Sequence, residues 1–173
     1  MKQLSGLREQ KLDEKGRWIV PTDLRVAIGV HFWLTIDQDS NMVVIPNERW
    51  EVLNGKWEAL LEDSSLDSHD IDAIDRTLTY AVEIEATRDW RIPVPELIRR
   101  KAGFQKDVVT VGSLDRLVVW DRERFFQTEE EKFDHPETRK RQRLILRGVS
   151  PLNGSQEGEI NGDAASSRSG DGE

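Results

Sequence analysis

Arg17-Trp18-Ile19-Val20-Pro21-Thr22-Asp23-Leu24-Arg25-Val26-Ala27-Ile28-Gly29 is answered later in the chain by Arg91-Ile92-Pro93-Val94-Pro95-Glu96-Leu97-Ile98-Arg99-Arg100-Lys101-Ala102-Gly103. Arg17, Pro21, Arg25 and Gly29 fall on Arg91, Pro95, Arg99 and Gly103 at a constant offset of 74 residues. Beyond them the register slips by one, and Val44, Glu48 and Arg49 match Val119, Glu123 and Arg124 at an offset of 75. A turn, a short helix, a hairpin and a longer helix are therefore encoded twice, which predicts an internal pseudo-dimer. A solenoid would need about three or more copies.

The elements between these anchors follow from the punctuation. Leu4 to Leu12 reads as a weakly patterned strand, stopped by Asp13-Glu14-Lys15-Gly16, where the glycine supplies the permissive backbone of a tight turn. Arg17 to Val20 resumes as a strand. Pro21 suits the first turn of a helix with Leu24, Ala27 and Ile28 on its apolar face, ended by Gly29; Pro95, Ile98, Ala102 and Gly103 repeat that logic. Phe32 to Ile36 and Met42 to Ile45 flank a hairpin turn at residues 37–41, and Val108 to Val111 and Leu117 to Trp120 flank another at 112–116. Asn47 and Asp121 are N-cap types for the closing helices. Trp50, Leu53, Trp57, Leu60 and Leu61 form a helical stripe, and Ile71, Ile74 and Leu78 mark a further helix.

Composition sets the outer limits. The 173 residues suffice for one compact core or two small fused ones. There is no cysteine, so neither a disulfide nor a thiolate metal site is available, and a reducing cytoplasm fits. No stretch approaches the length and apolarity of a membrane span, so a cytoplasmic protein without a membrane partner is expected. The net charge of −8 argues against coating nucleic acid by bulk charge; DNA binding would need locally clustered arginines. Acidity concentrates in Glu58, Glu62, Asp63, Asp67, Asp70, Asp72 and Asp75, with no Lys or Arg from Trp57 through Asp75. After Phe133 the composition turns to Gly, Ser, Asn and charge, with few large apolar residues to pack. The expected organisation is a first half at 4–62, an acidic helical connector at 63–81, a second half at 82–133 and a flexible tail at 134–173.

Leu12-Asp13-Glu14-Lys15-Gly16-Arg17, followed by Ile19-Val20-Pro21 and Leu24-Arg25, resembles the first DXXXR element of the MraZ family of bacterial transcriptional regulators. Val108 to Asp121, ending Val118-Val119-Trp120-Asp121, resembles the end of that family's second half, and Gly6 sits where the family has a glycine before the motif. The resemblance covers about residues 4 to 130. It implies an α+β fold of two tandem AbrB-like swapped-hairpin β-barrel halves with packed helices. It also implies assembly into ring-shaped homo-oligomers that bind promoter direct repeats in double-stranded DNA, repress a division and cell-wall gene cluster, and work in the cytoplasm at the nucleoid without a cofactor.

A physical reason stands behind the motif. A loop at the end of a two-stranded ribbon can enter the major groove, where an arginine paired bidentately with guanine O6 and N7 supplies ~1–3 kcal/mol of discrimination. Arg17 is the candidate reader, its side chain expected to point into solvent, and Lys15 a phosphate contact. Asp13 and Gly16 would shape the loop, Asp13 by bonding its own turn or by holding Arg17. On local sequence alone the same residues read more readily as an exposed ion pair worth ~0–1 kcal/mol, and it is the family resemblance that favours the DNA-reading role for Arg17 and Lys15. The second element departs from the pattern: Thr87-Arg88-Asp89-Trp90-Arg91 has Thr for the family's Asp and Trp for its Gly. A positive φ would strain Trp90, so that loop is expected to have changed shape. Arg88 and Arg91 remain DNA candidates, beside the plainer reading of a packed surface loop.

Other features point to no chemistry. His31, His69 and His135 are scattered, and residues 67–70 lack metal-ligand spacing and read as a solvated helix start. Neither a phosphate-binding glycine loop nor a nucleophile elbow is present in the sequence, and no enzymatic activity is expected. Arg139-Lys140-Arg141-Gln142-Arg143 and Arg147 read either as a flexible basic arm or as a solvated helix extension. Beside the DNA-binding regulator stand two alternatives. One is a protein-interaction scaffold of the same fold with degenerate DNA binding, and the other an AbrB-like antitoxin, which would carry one hairpin unit where this chain has two.

Overall fold

The computed structural model describes residues 4–62 and 66–150, which divide into two compact units with the break between Phe126 and Gln127. The first unit carries eight strands: β1 (Leu7–Lys11), β2 (Arg17–Ile19), β3 (His31–Ile36), β4 (Met42–Pro46), β5 (Val82–Glu85), β6 (Arg91–Pro93), β7 (Asp107–Ser113) and β8 (Arg116–Asp121). Its helices are α1 (Arg25–Ile28), entered through a 3₁₀ turn at Thr22–Leu24, α2 (Asn47–Glu62), α3 (Ser68–Thr79), α4 (Glu96–Ala102) and the start of α5 (Arg122–Thr128).

Six strands form one antiparallel sheet in the order β1-β7-β8-β4-β3-β5, while β2 and β6 form a separate ribbon. Exchanging each strand for its repeat counterpart, β1 for β5, β3 for β7 and β4 for β8, merely reverses that order. Val43 pairs with Val118, its own counterpart 75 residues on, and Trp18 pairs with Ile92, its counterpart 74 residues on. A residue facing its own equivalent marks a pseudo-two-fold axis, which therefore passes through both sheets. β1 pairs with β7 and β5 with β3, so each half lends its first strand to the other. That exchange is why the expected barrel halves take the form of one shared sheet, edged by β1 and β5, with no closed barrel among the described residues.

The core lies between the shared sheet and the ribbon. Trp18, Val20, Phe32, Leu34, Met42, Val44, Ile92, Ile98, Leu117 and Val119 are fully or almost fully buried. Such side chains each contribute roughly 1.5–3 kcal/mol when taken out of water. Trp18, on the axis, has its indole N–H satisfied by Thr110 Oγ1 at 3.1 Å and Gln10 Oε1 at 3.3 Å. Gln10 Nε2 in turn donates to the Ile19 carbonyl at 2.8 Å, fastening the ribbon to β1 and β7 through a polar network with its partners made. On the opposite face of the sheet Trp33 stacks on Trp50 at 4.6 Å and Trp57 meets Trp50 edge-on at 5.3 Å, which seats α2. Leu60 and Leu61, counted in the stripe, stay exposed.

Several local readings gain detail. The 37–41 hairpin closes through Asp37 N–H to the Asn41 carbonyl at 3.0 Å. The second hairpin is tighter than expected, because β7 and β8 reach Ser113 and Arg116 and leave Leu114 at a φ of 59° in the turn. Gly112 has to be small: a Cβ there would lie 2.3 Å from the Ser5 amide nitrogen. Asp121 caps α5 by accepting from the Glu123 and Arg124 amides at 3.1 and 3.3 Å. Asn47 is not a cap but the first residue of α2, and its carboxamide oxygen accepts from the Trp33 indole at 3.1 Å. The acidic connector holds α3, whose start is a capping box built on Asp67 and Asp70. Residues 63–65 of the connector lie outside the described residues.

In the second unit a π-helical turn at Glu129–Phe133 precedes α6 (Pro136–Leu146), which has proline in its first turn. The segment expected to be flexible from residue 134 thus begins with a helix carrying Arg139, Lys140, Arg141 and Arg143. The fixed φ of Pro136 and a run of good helix formers account for it. Residues 151–173, the rest of that expectation, lie outside the described residues. No helix among the described residues is long and apolar enough to cross a membrane.

Candidate nucleic-acid interface

The ribbon positions both motif loops. Residues 13–17 lead into β2 and residues 87–91 into β6, and the register sets Ile19 opposite Arg91 and Arg17 opposite Pro93. With the axis at Trp18 and Ile92, the two loops lie within reach of each other across it.

Asp13 organises the first loop. Its Oδ1 accepts from the Lys15 and Arg17 amides, each at 2.9 Å, and its Oδ2 accepts from Arg17 Nε at 2.7 Å. The Gly16 amide closes the turn on the Asp13 carbonyl at 2.8 Å, and Gly16 has a φ of 72°, which is why a residue without Cβ stands there. The same Asp13 Oδ2 receives Arg91 Nη1 from the other half at 3.3 Å. The Arg17 amide first, then the Arg17 guanidinium and the Lys15 amide, hold the Asp13 carboxyl down at about 2. Arg17 does not extend freely into solvent as expected: its side chain is 29% exposed and tied to Asp13. The tie uses Nε and leaves the two Nη groups at the end of the fork unengaged by it.

The second loop keeps the turn that its sequence argued against. Trp90 adopts a φ of 55° and its amide bonds the Thr87 carbonyl at 3.0 Å, matching Gly16 and Asp13 in the first loop. The expected change of shape does not occur. Compensation comes from packing, since half-buried Trp90 rests against the core and stacks with the Arg25 guanidinium 5.4 Å from its ring centroid. A cation–π contact of this kind contributes ~0.5–1 kcal/mol or more, comparable to the cost of a left-handed backbone. The loop's carboxylate has moved two places, to Asp89, which accepts from the Thr87 hydroxyl at 2.5 Å and from the Arg91 amide at 3.4 Å. The Thr87 hydroxyl first, then the Arg91 amide and the neighbouring Arg17 charge, lower the Asp89 carboxyl below its ordinary value. Arg91 Nε stands 3.8 Å from Asp89 Oδ2 while its Nη1 is engaged by Asp13, so both edges of this fork face carboxylates.

Arg17, Arg91, Asp13 and Asp89 are therefore one cluster of two guanidinium and two carboxylate groups assembled from both halves. Lys15 and Arg88 are exposed beside it and form no ion pair among the described residues. Sequence reasoning set Lys15, Arg17, Arg88 and Arg91 as separate candidates; what it missed is that Asp13 bridges the two arginines. It also missed Arg25 and Arg99, which lie against the loops although they lie outside the motif. A Cβ at Gly16 would come within 2.5 Å of Arg99 Nη1, and Arg25 covers Trp90. The signal was present, because Arg25 and Arg99 are repeat counterparts, as are Gly16 and Trp90.

Two stretches of the chain, residues 4–76 and 77–148, each match the family model described as "MraZ protein, putative antitoxin-like". A transcriptional regulator MraZ of Lactiplantibacillus plantarum is 35% identical over 127 residues, 73% of this chain and 87% of the relative. Proteins of the same name are 36% identical over 121 residues in Natranaerobius thermophilus (69% and 82%) and 32% identical over 114 in Lachnoclostridium phytofermentans (66% and 78%).

Proposed function

Since this chain belongs to the MraZ family of transcriptional regulators, a family without enzymatic activity, we propose that it is a sequence-specific DNA-binding repressor of its own division and cell-wall gene cluster. It binds promoter direct repeats in the cytoplasm, at the nucleoid, as a ring-shaped homo-oligomer. The observation that carries this reading is the loop cluster, in which Arg17 is braced through Nε by Asp13 with its Nη pair unengaged by that carboxylate. A braced guanidinium loses little freedom on meeting guanine O6 and N7. Lys15 and Arg88 supply phosphate contacts, and Arg91 secures the cluster and reads less. With a net charge of −8 one subunit has no bulk attraction for DNA, so tight binding comes from several subunits on successive repeats. Effective concentration then raises affinity by ~10²–10⁴ where the geometry allows simultaneous contact.

Footprinting on DNA upstream of the protein's own gene, followed by titration of duplexes with one to four of the protected repeats and mass measurement by light scattering, tests the reading. Affinity should climb steeply with repeat number and respond to spacing. Equal affinity for one repeat and four, or full affinity from a proven monomer, would refute the multivalent mechanism. No footprint at all would favour the scaffold.

A further inference from the structure

The pseudo-two-fold axis crosses the helices over to the loops: α4 of the second half reaches the first loop, and α1 of the first half reaches the second. Arg99 and Arg25 are equivalent by sequence and by position, yet they end in opposite states. Arg99 is exposed, lies over the bare backbone of Gly16 and enters no ion pair among the described residues. Arg25 is half-buried, stacked on Trp90, and its Nε donates to the Val20 carbonyl at 3.1 Å. The difference traces to one position: glycine at 16 offers no side chain to hold a guanidinium, and tryptophan at 90 offers the aromatic face that guanidinium groups stack on.

We propose that Arg99 is an additional DNA-phosphate contact belonging to the first loop, and that Trp90 withdraws its counterpart Arg25 from that role, so the two halves meet DNA unequally. The proposal rests on the DNA-binding reading above. At the first loop Lys15, Arg17 and Arg99 stand together as cations of one small surface. At the second, Arg88 and Arg91 remain while Arg25 is engaged with an aromatic face and a carbonyl. A pseudo-symmetric body with three cations at one end of its ribbon and two at the other has a preferred direction on any site that is not palindromic. Trp90 then serves two purposes, filling the core at the second loop and setting polarity by occupying a charge.

The test uses the full chain on a duplex covering the upstream region of its own gene, with affinity measured against salt and mass checked for each variant. Arg99→Ala should weaken binding about tenfold or more and lower the salt slope by roughly one for each subunit engaged. Arg25→Ala, which removes support for the second loop but no phosphate contact, should leave the salt slope as in the parent. Trp90→Gly, which removes the ring while suiting the positive φ, should raise both, and adding Arg25→Ala to it should cancel the gain. An unchanged slope for Arg99→Ala in protein that still prefers the upstream duplex to scrambled DNA, or an equal fall in slope for Arg99→Ala and Arg25→Ala, would overturn the inference while leaving the DNA-binding reading in place. Parent protein that does not prefer the upstream duplex would overturn that reading and this inference together.

Discussion

Residues 13–17 and 87–91 fold into the same turn with almost no chemistry in common. Gly16 and Trp90 both sit at positive φ, and both donate back to the residue three places earlier. In the first loop a single carboxylate, Asp13, takes two backbone amides and two arginines. In the second the carboxylate stands at 89, and a threonine hydroxyl replaces part of the network. Different side chains hold the one backbone shape, Asp13 through its amide bonds at the first loop and Trp90 through its packing at the second, so the chemistry diverges without altering the turn. What diverges is the hold on the arginines. Arg17 keeps its fork end clear of Asp13, whereas Arg91 faces a carboxylate on each edge.

The sharpest way to break this comparison is Asp13→Ala. Removing the shared carboxylate frees Arg17 and Arg91 together, so binding to scrambled DNA should rise while the operator-to-scrambled ratio falls about tenfold or more, the scale of one lost base contact. Parallel competition titrations on the two duplexes measure it. A ratio that holds would show that the loop does not depend on Asp13 for its reading geometry.

The same residue gives a pH signature. The folded-state pKa of Asp13, about 2, lies below the ordinary carboxylate value of about 4, so its stabilising bonds are fully present above that ordinary value and are lost as pH falls toward 2. Thermal melts of the parent and of Asp13→Asn should therefore differ most near neutrality and converge between about pH 4 and pH 2. A gap that persists to pH 2 would assign the effect to shape rather than charge.

Smaller effects sharpen the contrast. Lys15→Ala should lower the salt slope by about one for each loop engaged and weaken operator and scrambled DNA alike. Asp89→Ala, at the equivalent position, should strengthen both. The least disturbance is expected from Thr87→Ala, which removes one exposed hydroxyl bond while the Trp90 packing still holds the turn; operator affinity should stay within about twofold in the same titration.

Much of the fold was legible because the chain states it twice. The offsets of 74 and 75 located the halves, and the prolines, glycines and hairpin turns located the elements. Pairing between halves was not legible, since a weakly patterned strand such as Leu7–Lys11 is compatible with several partners and only the assembled sheet selects β7. The candidate cations were readable one at a time. The convergence of Arg17 and Arg91 on Asp13 was not, because it joins residues 78 apart in sequence across an axis that exists only in the fold. Trp90 misled for a related reason: propensity assigns a cost to its φ, but the Arg25 stack and core contact that offset the cost come from tertiary structure.

If Arg17 reads the operator from a braced position and Arg91 chiefly braces, the two arginines should part company on substitution. Arg17→Ala and Arg91→Ala, compared in one competition titration of operator against scrambled duplex at fixed moderate salt with assembly confirmed by light scattering, test it most directly. Arg17→Ala should abolish discrimination with folding and assembly intact, and Arg91→Ala should retain most of it. Discrimination undiminished in Arg17→Ala, or lost more completely in Arg91→Ala, would contradict this division of roles.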